Sequence, residues 1–167
     1  MARHIPHSSS YPQSVAEVHR ALTSEQYWRD RLAEVGGPGA SFGHLTVADG
    51  TVDVEVAQAI PAEHLPSIVT KIRPGDLVIT RTETWGPLDG DRARGTFTAR
   101  VEGVPATLSG ALTLSADGTG STVALDGQVE VKLPLIGGKI EGVIADQVTE
   151  LLENEDRFTA EWLGSHT

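Results

Sequence analysis

From about residue 40, apolar and polar residues alternate with a period of two for roughly ninety residues, broken by Asp49-Gly50, Asp89-Gly90 and Asp117-Gly118. Asp-Gly readily takes the positive φ angles of tight hairpin turns, so the pattern predicts a meander of antiparallel hairpins. In TVDVEVAQ, Val52, Val54 and Val56 share one face, and Asp53 and Glu55 take the other. RARGTFTARV turns Ala93, Gly95, Phe97, Ala99 and Val101 inward and its arginines and threonines outward. TLSGALTL and STVALDGQVEVKL continue the inner face with Leu108, Gly110, Leu112 and Leu114, then Val123, Leu125, Gly127, Val129, Val131 and Leu133. In DLVITRTETW, Arg81, Glu83 and Trp85 share a face, but alternation alone does not say whether it lies inside or outside.

Both flanks of the meander carry a period of 3.6 instead. In SVAEVHRAL, Ser14 and Glu17 have capping-box spacing, which predicts a short helix. TSEQYWRDRLAEVGG repeats the signal with Thr23 and Gln26, sets Tyr27, Leu32 and Val35 at helical spacing, and stops at Gly36 and Gly37. After the meander comes an expected helix of about 28 residues from Leu135, with an apolar stripe through Ile140, Ile144, Val148, Leu151, Phe158 and Trp162 and an acidic back. At 1.5 Å per residue it spans roughly 40 Å and must cross the whole sheet. His4, Pro6 and His7 mark an edge strand before the first helix.

The stretch LPLIGGKIEG joins the last strand to this helix. A phosphate loop needs a glycine where Leu133 stands and a Ser or Thr where Ile140 stands. The stretch is therefore a joint: Pro134 ends the strand, and Gly137, Gly138 and Gly142 allow close approach of helix and neighbouring backbone.

This order of elements resembles the START-like (SRPBCC) helix-grip superfamily, which includes pollen-allergen-like carriers, lipid-transfer domains and polyketide cyclases. VKLPLIGGKIE followed by ENEDRFTAEWL, with RTETW at Arg81 to Trp85, is similar to the signature of an uncharacterised bacterial family of unknown function within it. The resemblance spans nearly the whole chain. It implies an α+β fold, a curved antiparallel sheet of about seven strands wrapped on a long C-terminal helix, with two short helices after the first strand. It also implies a ligand cavity, but no reaction.

Steric arithmetic supports the cavity. Seven strands at ~4.8 Å make a sheet about 30 Å wide, whereas a helix is only ~10 to 12 Å across, so the sheet must curl. Gly95, Ala99, Gly110 and Gly127 are too small to fill the hollow, and aromatic residues make up only 5% of the chain. The alternative is that these glycines mark bulges and bends, with larger neighbours collapsing inward. The expected lining from the sheet is Val54, Val56, Phe97, Ala99, Gly110, Leu112 and Val129, joined by Arg81, Trp85 and His44. The helix adds Ile144, Val148, Leu151, Glu155 and Phe158. Glu155 is an unusual residue on an apolar stripe: unpartnered it is pushed toward its neutral form, whereas paired with an arginine it is a structural ion pair. Gln147 is a weaker candidate of the same kind.

Composition narrows the function. The 167 residues suit one domain, residues 1–167, and the net charge of -10 opposes a nucleic-acid partner or an anionic membrane surface. With no cysteine, neither disulfides nor thiolate chemistry enter. No apolar run approaches a membrane span and the first residues lack a signal-peptide core, so a cytoplasmic protein without stable membrane insertion is expected. The six histidines lack metal-binding spacing, and no cofactor is expected. GASFG at Gly39 to Gly43 matches a hydrolase elbow but has a helix before it and a strand after, the reverse of what Ser41 would need as a nucleophile.

The leading expectation is carriage of an apolar or amphipathic small molecule. The alternatives are a cyclase- or aromatase-like enzyme using Glu155, Arg81 or His44, and a packed domain acting through protein contacts with an unspecified partner.

Overall fold

A computed structural model describes residues 2–37 and 39–166. The chain runs β1 (Ala2–Tyr11), α1 (Val15–Leu22), α2 (Glu25–Val35), β2 (Ser41–Ala48) and β3 (Thr51–Ile60), then a 3-10 turn (Ala62–His64) and α3 (Ser67–Ile72). It continues through β4 (Leu77–Trp85), β5 (Arg92–Val101), β6 (Ala106–Asp117), β7 (Gly120–Val131) and α4 (Gly137–His166). The strands form one antiparallel sheet in the order β1-β7-β6-β5-β4-β3-β2. It curls around α4, with α1 and α2 closing one end: an α+β helix-grip architecture of START-like type.

Local chemistry explains the elements. Ser14 accepts from the Glu17 backbone N–H at 3.2 Å and Glu17 reaches back to the Ser14 backbone, so the first capping box forms. The second does not. Thr23 ends α1 by donating its hydroxyl to the His19 carbonyl at 2.7 Å, and α2 starts from Ser24 without a side-chain cap. At the first hairpin Asp49 and Gly50 both take positive φ, as a two-residue turn of this kind requires. The six-residue α3 is an addition to the expected meander. It has no side-chain cap, and Val69 is its buried anchor.

The joint departs from expectation at its start. Leu135 takes a φ of +70°, outside the helical region, leaving its side chain fully exposed, so α4 begins two residues later. Gly137 is the glycine that brings α4 against backbone, since a Cβ there would lie 2.7 Å from the Val131 carbonyl oxygen. Gly138 faces open space and Gly142 meets the Arg3 side chain rather than backbone. Glu141 ties helix to strand by accepting from the Val131 N–H at 2.9 Å.

The inward faces of β5, β6 and β7 follow the expected alternation. What lies above the small residues does not. A Cβ on Gly95 would sit 2.0 Å from the Thr84 carbonyl oxygen and 3.1 Å from the Trp85 ring. On Gly110 it would meet the Leu125 side chain at 2.7 Å. These two glycines mark close approach to large neighbours, which narrow the hollow expected above them, whereas Gly127 borders a small void. Tyr11, Tyr27, Trp28, Trp85, Phe97 and Phe158 are all buried, so the scarce aromatics are concentrated inside. Gly95→Ala is expected to destabilise the fold by about 1–3 kcal/mol, because the obstruction is backbone and cannot rotate away. Urea unfolding at unchanged m-value would measure it.

Candidate functional site

The parity of β4 places Arg81, Glu83 and Trp85 on the inner face, resolving the ambiguity left by alternation. Arg81 meets Glu155 from α4 in a two-pronged contact, Nη1 donating to Oε2 at 2.7 Å and Nη2 to Oε1 at 2.9 Å. Nη1 also donates to Gln58 Oε1 at 3.1 Å. Arg31, carried by α2, approaches Glu155 Oε1 to 2.5 Å and lies over the Trp28 ring, 4.6 Å from its centroid. Glu83 is more loosely held: Oε2 accepts from the Trp85 indole at 2.8 Å, while Oε1 is 3.8 Å from Nη2 of both arginines.

A second chain of hydrogen bonds braces this cluster. Thr159 donates to the Glu155 carbonyl at 2.8 Å, so its oxygen accepts from Tyr27 at 2.6 Å, and Arg31 donates to that phenol at 3.4 Å. Burial by itself raises the Glu155 pKa, but the Arg31 and Arg81 guanidiniums outweigh it and hold the carboxyl below its ordinary range. Glu155 is therefore an ionised structural partner rather than a neutral acid. Burial pushes the Tyr27 phenol upward against the opposing pull of Arg31.

Small voids lie around this cluster and along α4. One of about 20 Å³ lies against Trp28, Arg31, Val54, Val56, Gln58 and Arg81. A second, about 60 Å³, is walled by Tyr11, Tyr27, Arg31, Glu83, Trp85, Phe97, Leu112, Leu125 and Leu152. His7 and Asp156 also line it, and His7 Nε2 donates to Asp156 Oδ2 at 2.6 Å, tying β1 to α4. A third void, about 10 Å³, lies under α3 among Val69, Ile79, Ile140, Ile144 and Val148. A fourth, also about 10 Å³, lies among Ile5, Phe97, Leu108, Leu125 and Val148.

Several expected lining residues sit elsewhere. Ala99 and Val129 are buried in the packed core, Gly110 is covered by Leu125, and none of the three borders these four voids. Leu151 is half-buried, and its neighbour Leu152 takes the interior place because the stripe runs through Glu155, Thr159 and Leu163. Phe158 packs edge-on to Tyr27, 5.9 Å between centroids, and borders a surface hollow with Trp162. His44 is exposed and bonds Asp53 at 2.7 Å, facing away from the interior.

Arg31, Gln58 and Tyr11 border these voids without having been expected there, and Leu125, placed on the inner face by alternation, joins them. Gln58 was legible, since it continues the parity of Val54 and Val56. Arg31 follows Tyr27 by four residues and shares its helix face. Among the described residues no cluster of three His, Asp or Glu side chains is placed to hold a metal ion, and no helix is long and apolar enough to cross a membrane.

Solved structures with this architecture share little sequence with it. Ara h 8.0201 aligns over 99% of this chain and all of its own, with TM-score 0.59 and 12% identity. A START superfamily protein from Mycobacterium smegmatis covers 98% of this chain and 99% of its own, with TM-score 0.53 and 12% identity. A Thalictrum norcoclaurine synthase point mutant in complex with a transition-state analogue has TM-score 0.55 and 13% identity, covering 99% and 96%. At the sequence level, an uncharacterised Mycobacterium tuberculosis protein is 36% identical over 170 residues, 98% of each chain. Residues 6–163 match the family described as protein of unknown function (DUF2505), and the chain belongs to that family.

Proposed function

We propose that this protein binds an apolar small molecule with one polar end, held between the curled sheet and α4. The observation that carries this reading is the alignment of voids along the helix. Phe97 and Leu125 border both the second and fourth voids, and Val148 borders both the fourth and third. Phe97, Leu125 and Val148 thus form shared walls in a series of separate voids that extends from the ionic cluster to the apolar space under α3. As they stand these voids have room for only a few waters, whereas small-molecule sites usually need ~300 Å³ or more. Binding therefore requires Phe97, Leu125 and Val148 to rotate aside or α4 to lift. The norcoclaurine synthase structure, with its bound analogue, is an example of a similar fold accommodating a small molecule.

An acid-base role for Glu155 lacks support, because its carboxyl is engaged by two arginines. Native mass spectrometry of the purified protein, together with thermal melting against medium-chain amphiphiles, tests the proposal. A ligand present at a hundred times its Kd stabilises by about 2.7 kcal/mol, a rise of roughly 5–10 °C for a chain of this size. No retained mass and no rise with any probe would reject carriage and leave a packed domain acting through its outer surface.

A further inference from the structure

Resting on that reading, we infer that the polar end of the ligand is a hydroxyl group, received by Glu83 Oε1 in the second void. Glu155 has both oxygens engaged by guanidinium groups, so it offers no open position. Glu83 differs. Its Oε2 is occupied by the Trp85 indole, but Oε1 has no donor within hydrogen-bond distance among the described residues. Its side chain is only 12% exposed and borders both the first and second voids. Flanked by two guanidiniums at ion-pair distance but hydrogen-bonded to neither, this oxygen stays accessible and can accept from a ligand donor.

Charge selects which donor. Arg31 and Arg81 balance Glu83 and Glu155, and Asp156, the other carboxylate on this void, is already engaged by His7, so no charge in the site is left without a partner. A ligand carboxylate would add a surplus anion and an ammonium a surplus cation, each buried without a counter-charge. A hydroxyl supplies the hydrogen bond and leaves the balance intact. Seated beside Glu83 Oε1, it donates there and accepts from Arg31 Nη2, 3.8 Å from that oxygen, a separation that hydrogen bonds of ~2.7 and ~2.9 Å can bridge. Trp85, Phe97, Leu112 and Leu125 then receive the carbon skeleton.

The test compares 1-octanol, octanoate and octylammonium, three probes with the same chain and different ends, titrated into the full chain at pH 7 by calorimetry. Octanol is expected to bind at least tenfold more tightly than either ion, a roughly 1.4 kcal/mol preference. In Glu83→Gln the cluster gains one net positive charge, so octanoate should strengthen and octanol weaken, narrowing or reversing the ranking. A wild-type preference for octanoate or octylammonium overturns the hydroxyl assignment while leaving small-molecule binding intact. An unchanged ranking in a folded Glu83→Gln protein also overturns it. If none of the three binds, this inference fails, while small-molecule binding is decided separately by the native mass spectrometry and melting measurements.

Discussion

Glu155→Leu is expected to lower stability by about 3–5 kcal/mol, because it leaves the Arg31 and Arg81 guanidiniums buried with Glu83 as their remaining carboxylate, 3.8 Å away. For a chain of this length that is a fall in Tm of roughly 6–20 °C, measurable by calorimetry. The loss is mainly uncompensated burial of positive charge, so removing one guanidinium with the carboxylate should restore much of it. Arg81→Met combined with Glu155→Leu leaves Arg31 and Glu83 as an oppositely charged pair and is expected to be more stable than Glu155→Leu alone. If the double variant is as unstable as the sum of the two singles, the sites are uncoupled and this account is wrong.

The same residue sets an acid limit. Its folded-state pKa is lowered, so its stabilisation is fully present above the unfolded glutamate value, about 4.3, and is lost as pH falls through the lower folded value. The Glu155 contribution should therefore stay constant down to about pH 5 and decline below, and Glu155→Leu should flatten that part of the profile.

Phe97→Ala should have an equally large effect with a different character. The ring is buried, separates the second and fourth voids, and carries the Arg81 guanidinium 5.3 Å from its centroid. Its removal should destabilise the fold by about 3–5 kcal/mol. It also joins the two voids, and enlarged apolar cavities take up guests such as benzene. Saturating benzene should therefore raise the Tm of Phe97→Ala more than that of the wild type. Equal shifts would mean that the space collapses on truncation and that Phe97 is not a partition.

Much of the fold was legible because an antiparallel sheet with one wet face writes its parity directly into sequence, as in Arg92 to Val101. α3 was not, since six residues without a cap give too little periodicity to separate from strand punctuation. In the site, Glu155 stood out by interrupting an apolar stripe, and Arg81, Glu83 and Trp85 were grouped by parity. Their partner Arg31 was hidden because an arginine on a short, weakly amphipathic helix is ordinarily a solvated residue. The interior is narrower than the small residues alone imply, for another reason. Composition counts aromatics but does not locate them, and the Trp85 ring over Gly95 occupies space that small residues alone would have left open.

The pairing of β1 with β7 matches Ala2 to Glu130 and Tyr11 to Ser121, so of the seven strands the first pairs with the last. During synthesis on the ribosome β1 has no native neighbour until more than a hundred further residues have emerged, and α4 follows later still. Such distant closure slows folding, because a long loop must be ordered before its contacts form. A nascent chain stalled before residue 120 would present β1 as an unpaired edge available to chaperones or to misassembly.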